Sequence, residues 1–232
     1  MSLYRSDEKA LKTMILIPSY NAAETLEAVI NRVPVKFRSD LTVIDDGSQD
    51  CTKQILKEKR INSISHPKNL GYGAAQKTGI TFSLKHGCDA VVILHADGQY
   101  PPEKIPELVS PIYKKEADIV IGSRMLRYSR RNEMPVLRNL GNRFLTFLEN
   151  LVLKSSLTGF HCGFRAYSCR FLRSIDYMTN SNGFEFDSEI IFQALFNGFR
   201  VKEIPIDAHY GQEMSHLKPL RYGFSVLGVV LK

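Results

Sequence analysis

The chain has 232 residues, of which 44% are hydrophobic and 24% charged, a balance that places it among ordinary globular proteins of one large domain whose core needs no staples. A formal net charge of +7 points to anionic partners: nucleotide diphosphates, lipid phosphates or a membrane face. Nucleic acid is set aside because no nucleic-acid-binding motif accompanies the charge.

Apolar runs of strand length at 14–17, 41–44, 61–65, 90–94 and 119–121 alternate with helical patterns at 24–32, 50–59, 73–85 and 103–115. Such alternation predicts βαβ units and a mostly parallel sheet, with helices carried to both faces by right-handed crossovers. After residue 123 the pattern changes. Arg124, Arg127, Arg130, Arg131, Arg138 and Arg143 crowd one 20-residue window, overlapping an apolar-rich helix at 136–153. A strand at 164–167, a helix at 188–196 and a strand at 201–206 follow. One domain over 1–232 is therefore expected, with a functional break that separates 1–123 from 124–232.

No run reaches the roughly 18 apolar residues of a spanning helix. The N-terminal stretch, charged from Arg5 to Lys12, does not read as a signal peptide. The final apolar run, 222–231, reads equally as a buried terminal helix or as the approach to a membrane segment beyond it. Cys51, Cys88, Cys162 and Cys169 form no C-x-x-C pair, so neither a zinc site nor a disulfide framework is indicated; reduced thiols and a cytoplasmic setting are expected.

The chemistry gathers at strand ends, where open α/β sheets hold their ligands. The first strand runs into Pro18-Ser19-Tyr20-Asn21, with proline ending the strand and Asn21 available as a helix cap. The second ends in Asp45-Asp46-Gly47-Ser48, two carboxylates that can accept from ribose hydroxyls or base N–H groups, with Ser48 or Asp50 as the alternative cap. Asn69-Leu70-Gly71-Tyr72-Gly73 is a glycine-rich turn into a helix, where backbone N–H groups can meet phosphate. The fourth strand ends in His95-Ala96-Asp97-Gly98-Gln99, and a carboxylate beside an amide suits a hard divalent cation.

Gly122-Ser123-Arg124 opens the arginine-rich window, and guanidinium groups suit phosphate oxygens. Arginines flanking an apolar helix also suit a membrane interface. Further on, Asp187 and Glu189 can serve as a general base or hold acceptor hydroxyls, while Asp187 or Ser188 can equally cap the helix that follows. His161 reads as structural.

Taken in order, these segments resemble glycosyltransferase family 2, with the GT-A fold. The family pattern is a P-x-Y-N turn, a V-x-D-D-G-S strand end, an N-x-G-x-x-x-A loop, a D-A-D-G-Q-x-P-P-E metal motif, a G-S-R segment and a C-G-F-R-A-Y segment. Here they read Pro18 to Asn21, Val43 to Ser48, Asn69 to Ala75, His95 to Glu103, Gly122 to Arg124, and Cys162 to Tyr167. Within the family the chain is most similar to the polyprenol-phosphate branch, the dolichol-phosphate mannose synthase type; it has no Trp and so lacks the Q-x-x-R-W motif of processive synthases.

The resemblance implies an α/β, Rossmann-like, mostly parallel sheet and an inverting transferase that moves a sugar from a nucleotide diphosphate sugar to a polyprenyl phosphate at the cytoplasmic face of a membrane. The nucleotide-sugar set is then Pro18, Tyr20, Asn21, Asp45, Asp46, Gly71, Ala96 and Asp97. Asp97, Gln99 and His95 would hold Mg2+ or Mn2+, Arg124 and Arg138 would contact the acceptor phosphate, and Asp97 and Asp187 are the catalytic candidates. A soluble or glycan hydroxyl acceptor, and a catalytically inactive nucleotide-sugar-binding module, are the alternative readings. Four positions depart from the pattern. His95 stands where relatives carry the first carboxylate of the metal motif, Gly159 stands where the branch carries an Asp, and Ala22-Ala23 stand where Glu residues are common. An imidazole at the first of these would weaken the site or bias it toward Mn2+.

Overall fold

The computed structural model describes residues 11–126, 136–160 and 162–207; within the helix that starts at Val136, the side chains of 136–142 and 145 lie outside the description. Seven strands form one sheet: β1 (Thr13–Ser19), β2 (Leu41–Asp45), β3 (Ser63–Ser65), β4 (Ala90–Ile93), β5 (Ile119–Ser123), β6 (Arg165–Ser168) and β7 (Val201–Pro205). Their order is β3-β2-β1-β4-β6-β5-β7. Every neighbouring pair is parallel except the two that β6 makes, with β4 and with β5. The helices are α1 (Leu26–Arg32), α2 (Val35–Arg38), α3 (Thr52–Glu58), α4 (Tyr72–Lys85), α5 (Ile105–Tyr113), α6 (Val136–Leu153), α7 (Cys169–Ser174) and α8 (Phe186–Phe196).

The central strands are apolar runs because they are covered on both faces, as parallel strands usually are. Ile15, Leu16, Ile17, Val91, Val92, Ile93, Ile119, Val120 and Ile121 are all wholly buried. α4 packs on β1 and β2, and α5 on β5 and β6. This arrangement brings the C-terminal ends of β1, β2, β4 and β5 and the N-terminal end of the antiparallel β6 to one edge.

Several boundaries differ from the sequence reading. β1 does not stop at Pro18 but runs through it to Ser19. The β1–β4 ladder already ends at Leu16 and Ile93, while Pro18 stays paired with Ile44 of β2. The missing N–H therefore costs no ladder bond. β3 keeps only three of its five predicted residues. The predicted helix at 103–115 divides into a 3-10 turn, Pro102–Lys104, and α5. α8 begins two residues early, with Glu185 at its N-cap position and no side-chain cap, so neither Asp187 nor Ser188 caps it.

The prediction of reduced thiols fails for two of the four cysteines. Cys88 and Cys169 form a disulfide across 81 residues of chain, with Cα atoms 6.3 Å apart. The physical reason is the sheet: β4 and β6 pair antiparallel from Ala90–Ser168 onward, which delivers the residues just before and just after them to each other. Cys51 and Cys162 are free thiols.

Candidate active site

The loops after β1 and β2 are sewn together. Asn21 adopts a left-handed conformation (φ 51°), its N–H donates to Ser48 Oγ at 2.9 Å, and its Oδ1 accepts from Gln49 N at 2.8 Å. It is a strut between loops rather than a helix cap; α1 has Thr25 at its N-cap position. Tyr20 beside it is 37% exposed and faces solvent.

Asp45 and Asp46 are both buried. Asp45 Oδ1 accepts from Ser48 N at 3.1 Å, and its Oδ2 makes no hydrogen bond but lies 3.9 Å from Lys53 Nζ. Asp46 is more fully engaged. Its Oδ1 accepts from Leu70 N at 2.9 Å and pairs with His66 Nδ1 at 2.7 Å, and its Oδ2 accepts from Gly71 N at 2.8 Å. A carboxylate only accepts, so His66 donates from Nδ1 and takes the Thr78 hydroxyl on Nε2, at 2.9 Å. Asp46 thus shapes the turn that feeds α4. Gly71 there sits at φ 106°, and a Cβ on it would lie 2.3 Å from the Asn182 carbonyl oxygen.

At the end of β4, Asp97 Oδ1 accepts from Gln99 N at 3.0 Å, across Gly98 at φ 74°. That leaves Oδ2 turned toward His95, whose Nδ1 is 3.9 Å away. The His95 ring is held on several sides. Its Nε2 is 2.7 Å from Tyr72 Oη. Tyr72 and Tyr100 meet it edge-on, with centroids at 5.2 and 5.1 Å. Behind it lies Gly163, where a Cβ would come within 2.1 Å of Nε2.

Asp187 enters this group from the first turn of α8. Its Oδ1 accepts from Gln76 Nε2 at 2.8 Å and its Oδ2 from Tyr72 Oη at 3.3 Å. Arg165 Nη1 lies 3.7 Å from Oδ1 and also donates to the Asp187 carbonyl. Arg165 is wholly buried and further donates to the carbonyls of Cys162 and Phe160, each at 2.5 Å. Burial opposes its charge, but the Asp187 carboxylate and the Tyr167 hydroxyl raise its pKa above the usual guanidinium value. Burial, reinforced by Asp187, pushes Tyr72 well above the usual phenol value, and burial pushes Tyr167 up to about 12. All three phenol and guanidinium groups keep their protons across the physiological range.

Arg124, at the end of β5, is buried, with its guanidinium 5.7 Å from the centre of the Tyr100 ring. The same ring touches His95, so a cation suited to phosphate lies one aromatic layer from Asp97. Pro18 and Asp45 at the ends of β1 and β2, and Tyr20, Asn21, Asp46, Gly71, Ala96, Asp97, Gln99, His95 and Arg124 on the loops that follow, all fall at this one edge of the sheet, and Asp187 reaches it from α8. Arg138 lies in the first turn of α6, and its side chain falls outside the described residues, as do Arg127, Arg130, Arg131, His161 and the apolar run at 222–231.

Sequence reasoning passed over Tyr72, Gln76, Tyr100, Gly163 and Arg165. Tyr72, Gly163 and Arg165 stand inside recognised motifs. Their partners are 115, 68 and 22 residues away, so only the fold reveals what they touch.

Among the described residues, no three His, Cys, Asp or Glu side chains cluster as a metal site. A divalent cation nonetheless fits the donors present. His95 Nδ1 and Asp97 Oδ2, 3.9 Å apart, with Gln99 beside them, are the residues that would hold it, phosphate oxygens and water supplying the rest of the shell.

Solved structures share this architecture. Glucosyl-3-phosphoglycerate synthase from Mycobacterium tuberculosis, in complex with Mn2+, UDP and glucosyl-3-phosphoglycerate, superposes with a TM-score of 0.72 over 96% of this chain and 79% of that one, at 18% identity. The same enzyme with Mg2+ and UDP gives 0.70 over 96% and 79%, at 19% identity. The fold is that of a GT-A glycosyltransferase. The model of the family "Glycosyl transferase family 2" matches residues 14–176, and the chain belongs to that family. Similar proteins include the undecaprenyl-phosphate mannosyltransferase of Micrococcus luteus, 30% identical with 84% of this chain and 83% of that protein covered. The UDP-N-acetylglucosamine–dolichyl-phosphate N-acetylglucosaminyltransferase of Methanococcus voltae is 27% identical, with 91% and 92% covered. The polyprenol monophosphomannose synthase of Mycolicibacterium smegmatis is 29% identical, with 84% and 76% covered. The protein is a glycosyltransferase.

Proposed function

We propose that the protein transfers a sugar, with inversion, from a nucleoside diphosphate sugar to a polyprenyl phosphate held at a membrane surface, in the presence of Mg2+ or Mn2+. The observation that carries this reading is the placement of Arg124 over Tyr100, which itself packs on His95: a guanidinium suited to phosphate lies one aromatic ring away from the candidate metal donors. Relatives named for undecaprenyl, polyprenol and dolichyl phosphate acceptors support it. So does the outer face of α6, where Phe144, Phe147 and Leu151, spaced to share one helix stripe, are 60%, 62% and 67% exposed. No helix among the described residues is long and apolar enough to cross a membrane.

In this reading the loops after β1 and β2 take the nucleoside, and Asp97 with Gln99 and His95 takes the cation. A bound divalent cation would neutralise charge on the departing diphosphate. Arg124 and Arg138 hold the acceptor phosphate. A phosphate oxygen attacks the anomeric carbon from the face opposite the diphosphate; the new C–O bond forms as the bond to the diphosphate oxygen breaks, and the nucleoside diphosphate leaves with that electron pair. A phosphate monoester with a second pKa near ~6 is already anionic at neutral pH, so no general base is needed. Gly159, where the branch carries an Asp, is compatible with that. Asp187, engaged by Gln76, Tyr72 and Arg165, is better suited to positioning than to taking a proton from a glycan hydroxyl.

The test is transfer from a panel of UDP-, GDP- and dTDP-sugars to a short-chain polyprenyl phosphate with Mg2+ or Mn2+, beside parallel reactions with glycan acceptors. Lipid-linked product that is lost in Asp97→Ala supports the reading. Product only with glycan acceptors, or none from any donor, overturns it.

A further inference from the structure

We infer that Asp187 and Tyr72 form a hydrogen-bond chain to His95 that fixes its tautomer, presenting Nδ1 with a free lone pair beside Asp97 and so making the imidazole a cation ligand; this rests on the metal-dependent reading above. Nothing in the transfer step itself uses Tyr72, Gln76 or the carboxyl of Asp187, yet Gln76 bonds to Asp187, Asp187 to Tyr72 and Tyr72 to one ring nitrogen of His95.

The direction of the proposed chain is assigned from its acceptor end, the Asp187 carboxylate. Asp187, as a carboxylate, only accepts, and it takes Gln76 Nε2 on Oδ1 and the Tyr72 hydroxyl on Oδ2. A phenol has one proton. With that proton directed to Asp187, the Tyr72 oxygen must accept in its 2.7 Å contact with His95, so Nε2 of His95 carries the hydrogen. A neutral imidazole protonated on Nε2 has its lone pair on Nδ1. Nδ1 is the nitrogen that faces Asp97 Oδ2, and Oδ2 is the Asp97 oxygen left over once Oδ1 has accepted from Gln99 N.

Orientation is fixed as firmly as tautomer. The Tyr72 and Tyr100 rings flank the imidazole, and the absence of a side chain at Gly163 admits it. Histidine ligands commonly donate their second N–H to a carboxylate or carbonyl, and losing that partner weakens metal binding about 10- to 100-fold. Here the carboxylate acts through an intervening phenol. Exchange of an oxygen donor for nitrogen moves preference from Mg2+, which favours oxygen shells, toward Mn2+ and later first-row ions. Tyr72, Gln76, Asp187 and Gly163 are thus positioning residues that set which cation the site prefers.

The experiment is a Mn2+ titration followed by electron paramagnetic resonance, with Mn2+ alone and with UDP, coupled to pulsed measurement of 14N modulation on the bound ion. The wild-type protein should show 14N modulation that disappears in His95→Asp, a variant that should still bind the ion and shift its preference toward Mg2+. Tyr72→Phe should weaken Mn2+ binding about 10- to 100-fold. Asp187→Asn, whose amide can donate to the phenol and reverse the chain, should do the same and serves if Tyr72→Phe does not fold. Bound Mn2+ without 14N modulation, or wild-type Mn2+ affinity in both folded variants, overturns the inference. Sugar transfer that persists without nitrogen ligation removes this inference alone. Nitrogen-ligated Mn2+ in a protein that transfers no sugar removes the proposed reaction and leaves the chain standing.

Discussion

Gly163 and His95 occupy one another's space. The imidazole Nε2 lies 2.1 Å from where a Cβ on residue 163 would be, and the next nearest atoms are His95 Cε1 and Tyr72 Oη. The glycine at the entrance to β6 is therefore a condition for the ring at the exit of β4.

Gly163→Ala should leave the sheet intact but force the ring or the β6 entrance aside. Overpacking of this kind costs about 1–3 kcal/mol. Metal-dependent transfer should fall by at least about 10-fold, since the ring's hydrogen bond to Tyr72 is lost. Paired urea melts and transfer assays check it; wild-type turnover in the alanine variant would show that the ring position does not matter.

His66→Ala should act on substrate affinity more than on the chemical step. It takes a donor from the buried Asp46, which also holds Leu70 N and Gly71 N. Leaving a buried acceptor short of a partner costs about 1–3 kcal/mol. The turn into α4 should loosen, raising KM for the nucleotide sugar several-fold with kcat less changed. Steady-state kinetics read this directly, and a loss confined to kcat would argue against it.

Asp118 should make part of the stability depend on pH. It accepts from Arg200 N at 3.0 Å and pairs with Arg170 and with Arg200 Nε at 3.5 Å. Burial alone would raise its pKa, but the Arg200 N–H and the Arg170 guanidinium hold it below the usual carboxylate value. A folded-state value below the unfolded ~3.9 means the stabilisation is present above that pH and is lost as pH falls through the lower folded value. Both arginine side chains are more than half exposed, so each pair contributes no more than about 1 kcal/mol. Urea titrations from pH 7 to pH 3 should find wild type and Asp118→Asn furthest apart at neutrality and converging in acid.

Reduction, or Cys88→Ala with Cys169→Ala, should lower stability by about 2–4 kcal/mol. For a chain of this size that is a melting shift of roughly 4–16 °C. Turnover at 25 °C should persist, because the bridge closes the end of the β4–β6 ladder opposite His95 and Gly163. Thermal melts with and without reductant, beside activity assays, test both halves of the statement.

The sheet is readable in the sequence because strands buried on both faces are unbroken apolar runs, and the crevice is readable because each run stops in oxygen-bearing side chains. What escapes is whatever depends on two distant ends meeting. Asp187 looks like a cap until α8 is seen to start at Phe186, which turns its carboxyl onto Gln76 and Tyr72. Asp46 looks like a ligand residue, and only the fold shows three donors already on it. The Cys88–Cys169 bridge has no local signature, since the antiparallel register of β4 and β6 alone brings the two sulfurs together. The short helices α2 and α7, of four and six residues, carry too little periodicity to stand out.

The placement of β6 also limits how the molecule can move. The strand is laddered to β4 on one side and β5 on the other, and so ties the chain after residue 123 into the sheet built by the chain before it. The two cannot part like jaws without tearing the middle of the sheet. Among the described residues, any opening at the candidate site falls to the turns at 20–22, 67–71, 95–101 and 180–185, over the laddered floor beneath them.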